Sequence, residues 1–229
     1  RLGLGDTADR GDAAGEMGNN LPAVNLGTGR SAKAISGGGG HTCALLDDSS
    51  VKCWGTNFQG QLGLGDTNHR GDGAGEMGNN LPAVSLGTNR TATALTAGSN
   101  HTCAVLDNGT LKCWGDNAEG RLGLGDTADR GDAAGEMGNS LPAVSLGTGR
   151  TATGVSAGLS HTCALLDNAR VKCWGNAATG RLGLYATNRG DAPGEMGDSL
   201  LSVSLGTGRT VVAVTAGDVH TCTMLDNGT

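Results

Sequence analysis

The sequence predicts an all-β fold, a β-propeller built of about 60-residue four-stranded repeats, and three observations predict it. The run HTCALLDDSSVKCWG at 41–55 returns as HTCAVLDNGTLKCWG at 101–115 and HTCALLDNARVKCWG at 161–175, then starts again as HTCTMLDNGT at 220. The histidines that open these runs are spaced 60, 60 and 59 residues, a period that marks a propeller, solenoid or array. Glycine supplies 43 of 229 residues and aromatic residues only 2%, so tight turns are many, bulky side chains are few, and a bundle of long helices is excluded. The glycines carry no G-X-Y period, which excludes collagen, and the recurring apolar runs argue against disorder. The expected organisation is one propeller region over 1–229, with repeat cores near 31–90, 91–150, 151–209 and 210–229, in frame but cut at both ends.

Within one repeat the elements follow in order. The run RTATALTAGSNH, 90–101, consists of small and β-branched residues that suit a strand near a narrow axis, so strands at 32–38, 92–98, 152–158 and 211–217 are expected to line it. Next, Asn108-Gly109 between two apolar runs is a strong hairpin signal, because both residues tolerate positive φ. A hairpin there pairs 101–106 with 111–114 and sets Cys103 opposite Cys113. The expected disulfides are therefore Cys43–Cys53, Cys103–Cys113 and Cys163–Cys173, with Cys222 unpaired. Reduced, buried cysteines are the alternative, and zinc is a weaker one, since nine residues between cysteines is not knuckle spacing. Last, LPAVSLG supplies a fourth, outer strand with Pro82 or Pro142 at its start, where a missing N–H is tolerated.

Seven cysteines as three pairs and an orphan point to an oxidising compartment, hence a secreted, extracellular or periplasmic protein. A net charge of −6 without any Lys/Arg cluster disfavours nucleic acid and anionic membrane surfaces as partners. No apolar stretch reaches the length of about 18 residues that membrane insertion needs.

The string AGSNHTCAVLDNGTLKCWGDNAEGRLGLGDT, 97–127, resembles the regulator of chromosome condensation repeat, and the match recurs over nearly the whole chain. The resemblance implies a β-propeller, of seven blades in the usual case or completed by oligomerisation. It also implies that Gly98, His101, Trp114, Gly115, Asn117, Gly120, Leu122 and Gly123 shape the blade and do not catalyse. That family's best-known activities are nucleotide exchange on a small GTPase and chromatin docking. This chain lacks the basic surface docking would want, and its paired cysteines suit the secreted bacterial members, which are protein-binding modules and include a β-lactamase inhibitor.

The most unusual segment is an insertion, GDTADRGDAAGEMGNN at 5–20, copied from 65 and 125 and, one residue shorter, from Tyr185. Its carboxylates lie among glycines, as a calcium loop would place them: Asp6, Asp12 and Glu16, then Asp66, Asp72 and Glu76, then Asp126, Asp132 and Glu136. The spacing does not fit the EF-hand, and Asp9 becomes His69, so the alternative is a loop closed by Arg10 with Asp12 or Glu16 and by Asx turns. No other cofactor is expected. Arg-Gly-Asp at 10–12, 70–72, 130–132 and 189–191 reads as a chance match copied by duplication, and Asn-x-Thr at Asn89, Asn100, Asn108 and Asn227 matters only in a glycosylating host. His41, His101, His161 and His220 sit on separate blades and read as satisfied, half-buried histidines.

Catalysis needs a constellation placed once, and here every group recurs in each repeat, so no enzyme is expected. The expected function is a secreted scaffold that binds a protein or glycan partner through its blade loops, of which 56–59 and its copies vary most. Assembly with further copies of itself into an extracellular array or filament is one alternative, and guanine-nucleotide exchange, implied by the resemblance alone, is another.

Overall fold

The computed structural model describes residues 2–184 and 186–229; Tyr185, where the fourth insertion begins, lies outside them. Strands β1 (Ala32–Gly37), β2 (His41–Leu46) and β3 (Val51–Gly55) form an antiparallel sheet in that order. The pattern repeats with β4 (Ala92–Ala97), β5 (His101–Leu106) and β6 (Leu111–Gly115), and with β7 (Ala152–Ala157), β8 (His161–Leu166) and β9 (Val171–Gly175). A two-stranded sheet of β10 (Val211–Ala216) and β11 (Thr221–Leu225) follows. Helix among the described residues is confined to single 3-10 turns of three residues.

The four sheets stand side by side with β1, β4, β7 and β10 innermost, as the small residues of 92–98 and its copies predict. Hydroxyls join each of these strands to the next around the axis. Ser36 Oγ accepts the amide of Ala97 at 2.9 Å, Thr96 Oγ1 that of Ala157 at 3.1 Å, and Ser156 Oγ that of Ala216 at 2.9 Å. At one end of the axis the four turns around Gly38, Gly98, Gly158 and Gly217 rim a cavity of about 590 Å³.

The core lies between blades. Cys43, Leu45, Val51 and Cys53 of the first sheet pack with Ala104, Leu106 and Trp114 of the second, and Leu62, Val84 and Leu86 of the connecting segment close the layer. A blade therefore buries its apolar face only against its neighbour, the condition for a repeat fold.

The fourth strand does not form. Residues 81–86 run extended beside β3, but Val84 N to Val51 O, at 2.8 Å, is the backbone bond that ties them to it, and Val144 to Leu111 and Val203 to Val171 repeat the arrangement. Pro82 and Pro142 have no N–H to continue a ladder, while Leu81, Val84 and Leu86 point into the core. The segment is held by its side chains.

Candidate functional site

Each sheet runs between two ends. The turns 38–40, 98–100, 158–160 and 217–219 join the first strand to the second, and the loops 56–60, 116–120 and 176–180 leave the third strand at the same end. The pairing is direct: Thr56 N donates to Gly40 O, Asp116 N to Asn100 O and Asn176 N to Ser160 O, each at 2.9 Å. We term this the upper face. The hairpin tips 47–50, 107–110 and 167–170 form the lower face, where Arg30, Arg90, Arg150 and Arg209 pair with Asp47, Asp107, Asp167 and Asp226.

The blade residues hold the upper face in place. His41 Nε2 lies 2.8 Å from Thr102 Oγ1 of the next blade, and Thr102 gives its single proton back to Gln61 O at 2.8 Å, so the imidazole must be the donor to the hydroxyl. His101 with Thr162 and Arg121 O, and His161 with Thr221 and Arg181 O, repeat the relay. Trp114 Nε1 adds a second bond to Gln61 O at 3.1 Å, and Trp174 Nε1 one to Arg121 O at 3.0 Å. These histidines are buried rather than half-buried, and burial pushes His41 and His161 down to about 4 and His101 well below its ordinary range. Their Nδ1 atoms have no partner, which fits a neutral ring packed on glycine: a Cβ on Gly98 would lie 2.4 Å from His101 Cε1. Asn117 closes its loop by accepting Leu122 N at 2.9 Å and donating to Asp126 O at 2.8 Å, and Gly115 bridges to Arg130. Gly120, at φ +75°, admits the next insertion so closely that its Cβ would meet Asp191 N at 2.2 Å. Leu122 is buried, and Gly123 lies under Trp174.

Sequence reasoning missed Thr102 and its copies Thr162 and Thr221, although their recurrence after each histidine was the available signal. It also missed Lys52, Lys112 and Lys172, whose buried ammonium groups bridge neighbouring loops. Lys112 Nζ, for example, donates to Leu86 O at 3.1 Å and Gly138 O at 2.6 Å. Burial draws all three lysines below their ordinary range.

Cys43–Cys53, Cys103–Cys113 and Cys163–Cys173 are disulfides across directly opposed positions, each with 4.1 Å between Cα atoms; Cys222 is free and exposed. The acidic side chains of the insertion engage donors of their own loop. Asp6, Asp66 and Asp126 pair with Arg10, Arg70 and Arg130 at 2.7 Å, which also replaces the expected closure of Arg10 by Asp12 or Glu16. Glu16 and Glu76 each turn one oxygen onto three consecutive amides, 11–13 and 71–73, while Glu136 does so onto Gly131 and Ala133. The carboxylates are thus spent largely on the loop's own donors, and where Asp12 and Asp132 meet Glu16 and Glu136 no third ligand joins the pair: among the described residues no three acidic, histidine or cysteine side chains gather to hold a metal. Where the next insertion tucks against the preceding blade, burial raises Asp132 and Asp191, which share hydrogen bonds with Glu136 and Glu195. The Arg-Gly-Asp copies lie within these closed loops, with Gly71, Gly131 and Gly190 buried.

Against this uniform frame the upper face departs from copy to copy. Position 39 is Gly39, Ser99, Leu159 and Asp218 in successive repeats, and position 40 is Gly40, Asn100, Ser160 and Val219. Thr56, Asp116 and Asn176 differ, as do Gln59, Glu119 and Thr179, and Phe58 stands where the others have Ala118 and Ala178. Phe58 is 69% exposed, Leu159 40% and Val219 44%. The lower tips also vary, through Ser49, Gly109 and Ala169 and through Ser50, Thr110 and Arg170, but expose no large apolar side chain.

Residues 48–105 and 108–165 match the model of the regulator of chromosome condensation (RCC1) repeat, and a second model with the same description matches 32–61, 92–121 and 152–180. The ultraviolet-B receptor UVR8 of Arabidopsis thaliana is 30% identical over 202 residues, 87% of this chain and 40% of the receptor. The human X-linked retinitis pigmentosa GTPase regulator is 38% identical over 93 residues, 40% of this chain and 8% of the regulator. Human WBSCR16 superimposes with a TM-score of 0.68 at 17% identity, over 87% of this chain and 46% of its own. Yeast RCC1 (Prp20), solved bound to Kap60, gives 0.64 at 19%, over 88% and 43%. The chain thus spans less than half the length of these relatives, and the two structures speak for the fold.

Proposed function

Because the chain belongs to the regulator of chromosome condensation (RCC1) repeat family, we propose that it is a non-enzymatic interaction scaffold of an oxidising, extracellular or periplasmic compartment, and that its upper face receives a protein partner. One observation carries the reading: in a chain of near-identical repeats, the variable loops of the upper face expose three large apolar side chains, Phe58, Leu159 and Val219, whereas the lower tips expose none; other exposed apolar side chains, Ile35, Leu201, Val212 and Met224, lie along the first sheet, the fourth sheet and the segment before it. Packing alone would keep the copies alike, as it does at His41, Thr102 and Trp114, whereas recognition needs a surface that is not repeated. The partnership of yeast RCC1 (Prp20) with Kap60 supports a protein as the kind of ligand. Three disulfides support the compartment, and no helix among the described residues is long and apolar enough to cross a membrane.

The test is selection of binders from a displayed peptide library on the immobilised, oxidised chain. Binders should be retained by a variant altered at the lower tips and lost by one carrying Phe58→Ala, Leu159→Ser and Val219→Asn, each residue borrowed from another copy. Binders held equally by both variants would sink the proposal.

A further inference from the structure

Position 61 and its copies carry Gln61, Arg121 and Arg181, and the three repeats provide for them differently. Arg121 is 6% exposed and fully provided for: its Nε donates to Ala118 O at 2.9 Å, Nη1 lies 2.8 Å from Asp116 Oδ2, and Nη2 lies 3.5 Å from Glu119 Oε2. Gln61 is neutral, and the residues beside it, Thr56 and Gln59, are neutral too. Arg181 is 8% exposed and takes the pose of Arg121, with Nε on Ala178 O at 2.8 Å. Yet Asn176 and Thr179 stand where the two carboxylates should be.

Neither can serve. Asn176 turns its oxygen to Ala178 N at 2.8 Å and its amide nitrogen to Glu119 at 2.7 Å, and Thr179 donates its proton to backbone carbonyls. Among the described residues no carboxylate lies within ion-pair distance of Arg181; Asp218, on the adjoining turn, is exposed and makes no ion pair. Arg181 is thus a residue more than nine-tenths buried with no ion-pair partner among the described residues, and arginine is the side chain best shaped to take a carboxylate on two nitrogens.

We propose that Arg181 is a carboxylate-binding position on the upper face, filled by an acidic side chain or the terminal carboxylate of the polypeptide partner, as Asp116 and Glu119 fill Arg121. This rests on the reading of that face as the partner surface, but the site can be measured without the partner. The measurement is the Nε–H resonance of Arg181 in nitrogen-15 spectra, assigned by its loss in Arg181→Gln. The probes are acetyl-Ala-Glu-Ala-amide, its Gln counterpart, and acetate as the free acid. The expected result is a saturable shift with the Glu peptide and none with the Gln peptide, with an affinity several-fold above that for acetate. The variant Asn176→Asp/Thr179→Glu, which rebuilds the Arg121 arrangement internally, should bind the Glu peptide at least tenfold more weakly while melting no lower than the parent.

Absence of a shift in the parent overturns the proposal, as does a response undiminished in the rebuilt variant. A response that emerges only in Asp218→Asn assigns Arg181 to Asp218 instead, and equal affinity for peptide and acetate removes the polypeptide as the source. A positive titration beside a failed library selection would separate the failure of the functional reading from that of this one.

Discussion

His41, His101 and His161 tie stability to pH through burial. Each is held neutral, with His41 and His161 drawn from an ordinary 6.5 to about 4. A depressed pKa means the folded state binds fewer protons than the unfolded chain, so the stability these residues contribute is complete above about 6.5 and is lost as pH falls toward 4. For His41 and His161 the loss is on the order of 3 kcal/mol each, from about 1.4 kcal/mol per pKa unit. Asp132 and Asp191, raised by burial, act in the opposite direction, but the three histidines should dominate. A melting series from pH 7.5 to 4.5 should therefore show a steady fall in Tm, and a Tm flat over that range would contradict the relay. Thr102→Val should cost about 1–3 kcal/mol in denaturant titrations, because it leaves both His41 Nε2 and part of Gln61 O without a partner. At this scale the sequence was legible for the histidines, whose repetition on separate blades ruled out a shared ion. It was not legible for Arg181, because an arginine reads alike whether or not a carboxylate stands beside it.

The hairpin between the second and third strands is where local sequence and observed structure agree most closely. Asn108-Gly109 set a register that put Cys103 opposite Cys113, and one cysteine pair in each of the three-stranded sheets followed from it. Replacing both Cys103 and Cys113 by alanine should cost about 2–3 kcal/mol, the loop-closure value for a bridge of this span. Chemical denaturation with and without reductant measures it. The same turn holds Ala169 at φ 58°, where Gly109 sits at 75° in the second copy. Ala169→Gly should raise stability by about 0.5–1 kcal/mol, since a Cβ is disfavoured in the left-handed region, and a loss of Tm would count against the assigned turn. The outer strand read from LPAVSLG failed because Pro82 removes a donor and one bond to β3 is left, while Leu81, Val84 and Leu86, spaced by three and two residues, all turn into the core. The insertion was legible as acidic and glycine-rich, while the use of its carboxylates depended on which amides the glycines turned toward them.

For the whole molecule, repetition and its breakdown carry different information. Identical positions such as His41, Trp54 and Gly55 build the frame, in which each blade is completed by the next, and the 60-residue period made that frame legible at once. Divergent positions lie 16 or more residues apart in sequence, at 39–40 and 56–59, and only the antiparallel folding of three strands brings them to one end. The upper face as the partner surface is best tested by calorimetric titration of the tightest selected peptide into the parent chain, into Phe58→Ala/Leu159→Ser/Val219→Asn, and into the lower-tip control Asn108→Asp/Thr110→Ser. At least a tenfold loss of affinity is expected in the first variant and less than a twofold change in the control. Affinity unchanged in the upper-face variant, or lost in the control alone, would contradict that role.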